Sequence, residues 1–387
     1  MKQALVLYGA TEAGMAHFSG DLFYRTRFKI PDPTPFIEIE GKTYLLVSPL
    51  EIGRAAKEAR VDEVIPFEDY LSRSEPRLTT KEGMAAFLKE KGITHVLVPQ
   101  PFPYEIAKFL ERDFMVEIRK APFYPERAKK LDWEIAEIEK AQRAVERAVR
   151  KAMDFLVECC IDAESRVFRD LNFGGREFVG SGKLRDLIDQ ELYRQGYLAI
   201  GTIVASGVQA ADPHSSGSGP IIPYSAIVMD VFPFSMKTHY FTDMTRTIFK
   251  GRPSPQLESM YNMVLEAQLL ALEMIRAGVE GFSIWDKVST LFGGRAYPAS
   301  TDPMEGFFHG VGHGVGLELH EMPVIGRREC ILEEGNVVTV EPGLYYSRAR
   351  AHIPAGGIRI EDLVVVEEDG VRNLTRFPKS FKEMVIP

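Results

Sequence analysis

Carboxylates interrupt apolar stretches in the second half of this 387-residue chain, and this feature constrains its fold more than any other. Asp230 lies inside SAIVMDVF, Glu341 follows NVVTV, and Glu361 lies between GIRI and DLVVV. These stretches are rich in β-branched residues and predict buried strands. An isolated ionised carboxylate there is costly, so each acid must be neutral, paired with a cation or bound to a metal. Separate buried ion pairs would explain any one acid, but three in one domain favour a shared metal centre.

Histidines cluster in the same half of the chain. His309, His313 and His320 fall within FFHGVGHGVGLELHEMP, and glycines stand on both sides of His313. Glycine permits close backbone approach and unusual dihedral angles, which suits a ring presented into a crowded site. A glycine-rich turn with incidental histidines would explain any one of them, but three together favour a functional site.

A fourth acid, Asp243, belongs to FTDMTRTIF. Strand alternation places Asp243, Thr245 and Thr247 on one face of this segment, so the acid can face a shared site. The alternative is an edge carboxylate in a salt bridge with Arg246.

Two further polar residues are candidates for the same site. His214 lies in a polar loop between ASGVQAADP and SSGSG, where a solvated histidine is the alternative interpretation. Arg359 stands two residues before Glu361 and therefore on the same strand face. It could orient a ligand carboxylate or form a cross-strand ion pair.

The length of the chain predicts two domains, because a single core usually stops growing below this size. Up to about Ile118, short apolar runs such as ALVLY and ITHVLVP alternate with helical stretches, which predicts a small α/β domain over residues 1–121. Apolar residues from Leu131 to Leu156 then recur at helical spacing and predict a long amphipathic helix. Beyond it, strands and helices mix without a regular βαβ period, so residues 122–387 are predicted to form an α+β domain.

Composition excludes several classes of partner. The formal net charge is −8 and the basic residues are interspersed with acids, so no basic stripe for nucleic acid is present. The three cysteines form no Cys-x-x-Cys pattern, which fits a reducing cytoplasm. No apolar run approaches the roughly 18 residues of a membrane helix, and the N-terminus lacks the core of a signal peptide, so neither a membrane nor export is expected.

Five blocks in order resemble one family: ASGVQAADPH, MDVF with FTDMTRT, HGVGHGVGLELHE, TVEPGLY and GIRIED. They are similar to those of the pita-bread metallopeptidases, which include Xaa-Pro aminopeptidases, prolidases and methionine aminopeptidases. The match extends from about Glu126 to the C-terminus. It implies a pita-bread catalytic domain, preceded by the smaller creatinase-type N-terminal domain of the proline-directed members. A homodimer is implied by the resemblance alone.

The resemblance also implies a role for each acid and for one imidazole. Asp230 would bind one metal ion, and Asp243 and Glu361 would bridge two ions. His313 and Glu341 would bind the second ion. Four carboxylates and one imidazole form an oxygen-rich set that favours Mn²⁺, with Co²⁺, Fe²⁺ or Zn²⁺ as substitutes.

Other residues would act on the substrate, a peptide with a free N-terminus and proline at its second position. His214, His309 and His320 match family histidines that hold the substrate carbonyl or relay a proton. Arg359 matches an arginine linked to the metal ligands. The ions would activate a water molecule for attack on the scissile carbonyl, with Glu341 as general base. His214 and His320 would stabilise the oxyanion or assist the leaving nitrogen.

Two departures from the family pattern bear on this prediction. Asp230 and Asp243 are slightly further apart than in relatives, and a longer hairpin, VFPFSMKTHYF, would absorb the difference. Val324 stands where prolidases commonly have an arginine suited to a dipeptide carboxylate. This favours an aminopeptidase that acts on longer peptides, and the alternative is an Xaa-Pro dipeptidase in which Arg295 or Arg327 holds the carboxylate.

Two more distant alternatives share the fold. Creatinase works without metal but lacks the full ligand set, which is present here. Non-enzymatic binding proteins of this fold usually have degraded ligands and added charged tails, and the chain has neither feature.

Overall fold

The computed structural model describes residues 2–12, 14–70, 79–171, 174–295, 297, 304–350 and 352–387. The chain divides into two units, Met1–Arg127 and Ala128–Pro387. The predicted boundary, between residues 121 and 122, lies shortly before this division. In the part of the chain that the structure describes, no helix is long and apolar enough to cross a lipid bilayer.

The first unit is built on one mixed β-sheet. Its strands are β1 (Gln3–Gly9), β2 (Thr34–Ile39), β3 (Lys42–Val47), β4 (Glu63–Pro66), β5 (His95–Pro99) and β6 (Met115–Arg119). Its helices are α1 (Gly20–Thr26), α2 (Pro49–Glu58), α3 (Thr80–Glu90) and α4 (Tyr104–Leu110). The strand order is β4-β3-β2-β1-β5-β6, in which β2 runs antiparallel to β1 and β3 and the remaining pairs are parallel.

Helices cover both faces of this sheet. Successive side chains of a strand point to opposite faces, so the neighbours Val6 and Leu7 belong to different hydrophobic clusters. Val6 shares one cluster with Phe87 of α3. Leu7 shares the other with Leu22 of α1. The predicted alternation of apolar runs and helices is therefore a covered α/β sheet.

The second unit mixes helices with several sheets. Its helices are α5 (Asp132–Val157), α6 (Ser181–Arg194), α7 (Pro255–Met274), α8 (Gly281–Gly294) and α9 (Phe381–Met384). The strands in its first half are β7 (Cys160–Ile161), β8 (Val167–Asp170), β9 (Arg176–Phe178), β10 (Tyr197–Leu198), β11 (Ile203–Ser206), β12 (Ala226–Val231), β13 (Phe234–Ser235) and β14 (Met244–Lys250). The later strands are β15 (Gly312–Gly314), β16 (Glu321–Ile325), β17 (Val337–Val340), β18 (Gly343–Tyr346), β19 (Gly356–Arg359), β20 (Asp362–Val366), β21 (Val371–Asn373) and β22 (Val385–Ile386).

Helix α5 confirms the predicted amphipathic helix. Its small and branched apolar side chains form a buried stripe that includes Ala144, Val145, Ala148 and Val149. This stripe belongs to the main hydrophobic cluster of the unit, together with residues of the central strands such as Met229. Burial of the stripe, rather than helix propensity, supplies most of the stability of such a helix.

Two sheets position the polar residues of interest. Their strand orders are β11-β12-β14-β22 and β16-β15-β17-β20-β21. In the first sheet, β12 and β14 pair antiparallel with Asp230 opposite Thr245. The backbone N–H of Glu361, which immediately precedes β20, donates to the Thr245 carbonyl at 3.1 Å. This hydrogen bond joins the two sheets where the carboxylates lie.

The hairpin between β12 and β14 contains the extra length noted in the sequence. It forms the short strand β13, which pairs with β10 outside the main sheets. Val231 still pairs with Met244, so the extra residues lie beyond the β12–β14 ladder. Strand β14 begins at Met244, and Asp243 is therefore at its entrance rather than within it.

A buried arginine secures the junction of these sheets. Arg246 is 0% exposed, and its Nη2 donates to Asp362 Oδ1 at 2.8 Å. The guanidinium also donates to backbone carbonyls, which belong to Thr245, Glu361, Phe377 and Pro378. Arg246 thus pairs with Asp362 and not with Asp243, the partner considered from the sequence.

We expect Arg246→Met to destabilise the protein strongly. The substitution leaves Asp362 buried with one cationic partner fewer, and breaking a buried ion pair costs about 3–5 kcal/mol. Chemical denaturation of metal-free protein measures the change in the free energy of unfolding. The matched control is Arg252→Met, because Arg252 is 79% exposed and its pair with Glu258 lies at the surface; there we expect a change of less than about 1 kcal/mol. Equal stability of the two variants would contradict the role given to Arg246.

Candidate active site

The residues proposed as metal ligands lie in or beside strands of the second unit. Asp230 is the penultimate residue of β12, and Asp243 immediately precedes β14. His313 is the central residue of β15. Glu341 follows β17 directly, and Glu361 lies between β19 and β20. The acids that interrupt apolar stretches in the sequence therefore lie at or near strand ends, and these strand ends meet at one place.

These side chains converge on one cavity of about 410 Å³. His313 Nε2 lies 3.3 Å from Glu341 Oε1 and 3.8 Å from Asp243 Oδ2. One potential ligand atom from each of Asp243, His313 and Glu361 lies within 4.8 Å of the others. Asp230 lines the same cavity, and its carboxylate accepts a hydrogen bond from Arg359.

Unpartnered oxygens show that this cluster fits a metal centre. Among the described residues, Asp243 Oδ1 and Glu361 Oε1 are buried side-chain oxygens without a hydrogen-bond partner. Their residues are 5% and 1% exposed. A buried carboxylate oxygen without a partner is costly, and divalent cations with a preference for oxygen ligands would satisfy both oxygens.

The acids differ in their protonation behaviour. Burial and the charge of Glu361 raise the pKa of Asp243 well above its usual range. Burial and the charge of Glu341 do the same to the pKa of Glu361, and burial raises the pKa of Asp230. Burial opposes ionisation of Glu341, yet the hydrogen bond and charge of His313 lower its pKa to about 2. Full ionisation of the four acids would therefore give the cluster more negative charge than its own cations can balance, and this opposes ionisation of Asp243 and Glu361.

Arg359 is fixed from several sides. Its Nη2 donates to Asp230, its Nε donates to Thr245 Oγ1 at 3.1 Å, and its Nη1 donates to the Tyr345 hydroxyl at 3.1 Å. The Tyr345 oxygen lies 3.0 Å from His309 Nε2. Burial raises the pKa of Tyr345 to about 12, so its hydroxyl keeps its proton. Arg359 forms the buried ion pair considered from the sequence, and its partner is a candidate ligand.

The His309 ring is occupied at both nitrogens. Nδ1 lies 2.6 Å from the Gly310 carbonyl, which can only accept, so Nδ1 carries the proton. Nε2 then accepts from Tyr345. A chain of hydrogen bonds runs from Arg359 through Tyr345 to His309, and burial lowers the pKa of His309.

The other two histidines are exposed and line the cavity. His320 packs edge to face on His313 with ring centroids 4.3 Å apart. His214 follows Pro213, whose carbonyl accepts from Arg359 Nη1 at 3.4 Å. Both rings can therefore reach a substrate in the cavity, in contrast to the engaged ring of His309.

The glycines around His313 permit close backbone packing. A Cβ on Gly312 would overlap the Thr339 carbonyl, and a Cβ on Gly314 would lie 2.5 Å from the Met322 carbonyl. Neither glycine has a positive φ. The expected close approach is confirmed, whereas the expected unusual dihedral angle at these two positions is wrong.

Sequence reasoning assigned no site role to three residues that hold the acids or Arg359. Thr245 Oγ1 donates to Glu361 Oε2 at 2.8 Å. Thr339 Oγ1 donates to Glu341 Oε1 at 3.1 Å. Each threonine stands two residues from an acid, so strand alternation was a usable signal. Tyr345 was missed because nothing in its local sequence indicates contact with both Arg359 and His309.

Solved structures share this fold over nearly the whole chain. An Xaa-Pro dipeptidase from Bacillus anthracis superposes with a TM-score of 0.81, covering 99% of this chain and 95% of that one at 23% identity. An X-Pro aminopeptidase from Thermotoga maritima gives a TM-score of 0.78, covering 100% and 98% at 23% identity. Similarity at this identity establishes the fold. The protein has the pita-bread fold of the metallopeptidases, and the predicted α+β fold class is confirmed.

Sequence comparison defines the family. The profile of Metallopeptidase family M24 matches residues 136–368. The Xaa-Pro dipeptidase of Pyrococcus furiosus is 34% identical over 248 residues, which are 63% of this chain and 62% of that protein. The aligned part is less than two thirds of that relative's length. The protein belongs to metallopeptidase family M24, which confirms the predicted family and enzyme class.

We expect Asp243→Asn to stabilise the metal-free protein as pH rises. Because the pKa of Asp243 is raised in the folded protein, its protonation contributes stability that is fully present below the unfolded-state pKa of about 3.9. This contribution is lost as pH rises through the folded-state pKa. The amide cannot ionise, so the variant should melt several degrees above wild type at pH 8 and close to it at pH 5. Thermal unfolding with EDTA measures this difference, and saturating Mn²⁺ should reverse the order.

The matched control is Asp369→Asn, an exposed acid outside the cavity. It should shift the melting temperature little at either pH. If Asp243→Asn is destabilising at pH 8 in EDTA, the carboxylates are not repelling one another and the argument for excess negative charge is wrong.

Proposed function

We propose that this protein is an aminopeptidase with two divalent metal ions that hydrolyses the N-terminal Xaa-Pro bond of peptides longer than a dipeptide. The observation that carries the proposal is the convergence of four carboxylates and one imidazole, with two unpartnered carboxylate oxygens, in one cavity. Membership of a metallopeptidase family supports the hydrolytic chemistry.

The proposed ligands are the residues identified from the sequence: Asp230, Asp243, His313, Glu341 and Glu361. Mn²⁺ is favoured over Co²⁺, Fe²⁺ or Zn²⁺ because the set is rich in hard oxygen donors. When bound, such ions would polarise a carbonyl and lower the pKa of a water molecule to about 7.

Glu341 is the proposed general base. Its carboxylate is ionised because His313 lowers its pKa to about 2. His313 and Thr339 both lie on Oε1, which fixes the orientation of the carboxylate. A proton from the attacking water can therefore pass to Oε2.

The histidines divide into two roles. His320 and His214 have exposed rings on the cavity, and their ring N–H groups would stabilise the oxyanion or protonate the leaving proline nitrogen. His309 is given an orienting role instead of direct substrate contact, because both of its ring nitrogens are engaged. Arg359 would neutralise and orient Asp230. The free α-amino group of the substrate would bind near the acids, which would confine cleavage to the first bond.

The cavity lining supports a substrate longer than a dipeptide. One wall is apolar and includes Phe308, Leu319, Val324 and Ile325. Among the described lining residues the one arginine or lysine is Arg359, which is already committed to Asp230, Thr245 and Tyr345. A dipeptide carboxylate would lie against this wall without a cation.

The arginines considered as alternatives lie elsewhere. Arg295 is 3.4 Å from Glu266, and Arg327 lies over the Trp285 ring at 4.9 Å. Neither lines the cavity. A dipeptidase is nevertheless the second candidate, because the 34% identical relative from Pyrococcus furiosus and the Bacillus anthracis structure are both Xaa-Pro dipeptidases.

A cytoplasmic location and a homodimer stay predictions. The described cysteines, Cys159, Cys160 and Cys330, are free, which supports a reducing compartment.

Substrate length is tested by the turnover of Ala-Pro, Ala-Pro-Ala and Ala-Ala-Ala by metal-stripped protein with and without Mn²⁺. We expect Mn²⁺-dependent cleavage of Ala-Pro-Ala after alanine, with at least about tenfold lower kcat/KM for Ala-Pro because its carboxylate lacks a partner. Cleavage of Ala-Pro alone would establish the dipeptidase instead. Binding of Mn²⁺ without cleavage of either proline peptide would refute the substrate class and leave the metal site intact.

Glu341→Gln should lower kcat by about 10²–10⁴-fold at saturating Mn²⁺, because the amide cannot accept a proton. Steady-state kinetics on Ala-Pro-Ala gives the measurement. Glu333→Gln is the matched control, since Glu333 pairs with Lys129 at the surface. A Glu341→Gln enzyme with wild-type kcat would exclude Glu341 as the base.

A further inference from the structure

Trp285 connects helix α8, which supplies none of the proposed ligands, to the histidine side of the cavity. Its indole Nε1 donates to the His309 backbone carbonyl at 3.0 Å. Its ring stacks on both Phe282 and Phe307, with centroid distances of 5.9 Å and 6.2 Å and interplanar angles of 26° and 29°. The guanidinium of Arg327 lies 4.9 Å from the same ring. The indole is thus held by stacking and directed at one acceptor.

That acceptor belongs to a residue whose ring is already committed. The His309 ring bonds to the Gly310 carbonyl and to Tyr345, which in turn accepts from Arg359. The position of the ring therefore depends on where its backbone is held. The Trp285 N–H fixes that backbone at the carbonyl of His309 itself.

The same segment leads directly to a proposed ligand. The Val311 N–H donates to the Ile325 carbonyl at 2.7 Å, and the Val311 carbonyl accepts from the Glu341 N–H at 2.7 Å. A shift of the backbone at His309 would reach Glu341 through the hydrogen bond between the Val311 carbonyl and the Glu341 N–H. It would also disturb Ile325, which is part of the apolar wall.

Helix α8 contacts that wall independently. A Cβ on Gly281, the first residue of α8, would lie 2.6 Å from the Val324 carbonyl and 3.2 Å from Ile325 Cα. Only glycine permits such close approach of a helix to a strand backbone. One helix therefore touches both the His309 segment and the Val324–Ile325 wall.

We propose that Trp285 is a positioning residue for the active site: it holds His309 so that Tyr345 and Arg359 keep Asp230 in place. This inference rests on the proposed peptidase function for its catalytic consequence. Its structural content, that the indole N–H fixes the backbone of residues 306–314, is independent of the substrate.

The test is a double-mutant cycle of Trp285→Phe with His309→Asn, assayed on Ala-Pro-Ala with saturating Mn²⁺. Phenylalanine keeps an aromatic ring but lacks the N–H. We expect kcat to fall about ten- to a hundredfold, as for small misplacements of catalytic groups, with KM changed less than about twofold. In the His309→Asn background, Trp285→Phe should cause no further loss of kcat. Wild-type kcat in Trp285→Phe, or an equal loss in both backgrounds, would overturn the proposal.

Phe282→Leu is the matched control, because Phe282 stacks on the same indole and is 39% exposed. Hydrogen–deuterium exchange of residues 306–314 supplies a readout that needs no turnover. Faster exchange in Trp285→Phe than in Phe282→Leu supports the proposal, and equal exchange overturns it. If the wild-type enzyme cleaves no proline peptide, the substrate class has failed and this exchange measurement decides the role of Trp285 alone.

Discussion

Mutual repulsion among four closely placed carboxylates, three of them buried, is the constraint on which the second unit depends. Asp230, Asp243, Glu341 and Glu361 converge where Arg359 is the one arginine or lysine among the described lining residues and where His313 contacts Glu341. Such an arrangement is stable only if the surrounding backbone cannot relax away from it. The strand ladders and the Arg246–Asp362 ion pair provide that rigidity, because they fix both sheets on either side of the acids.

Rigidity is reached by close backbone contact as much as by charge. Glycines bring β15 onto β17 and the first turn of α8 onto β16, at distances that no Cβ would allow. The polar side chains of the site have little conformational freedom. Threonine hydroxyls hold Glu341 and Glu361 in fixed orientations, and the Tyr345 hydroxyl holds Arg359. Preorganisation of this kind lowers the cost of assembling a catalytic site.

Much of this architecture can be predicted from the sequence because local residue patterns determine it. The α5 stripe follows from helical periodicity, and the acids stand out because they break apolar runs. Strands β2 and β4 did not stand out, since TPFIEI and EVIP are short and each includes a glutamate and a proline. The Arg246–Asp362 pair could not be predicted, because partners 116 residues apart are chosen by tertiary packing. Trp285 illustrates the same limit, because nothing in its local sequence distinguishes it from an ordinary core aromatic residue. Only the fold shows that its indole N–H donates to the His309 carbonyl.

The unpartnered oxygens of Asp243 and Glu361 affect the stability and abundance of the protein in a cell. A ligand that binds the folded state alone stabilises it in proportion to the logarithm of its concentration over its dissociation constant. Molecules that lack cations would carry the full repulsion and open more often. Because chaperones and proteases act on opened molecules, the abundance of this enzyme would follow the metal supply without any change in its synthesis.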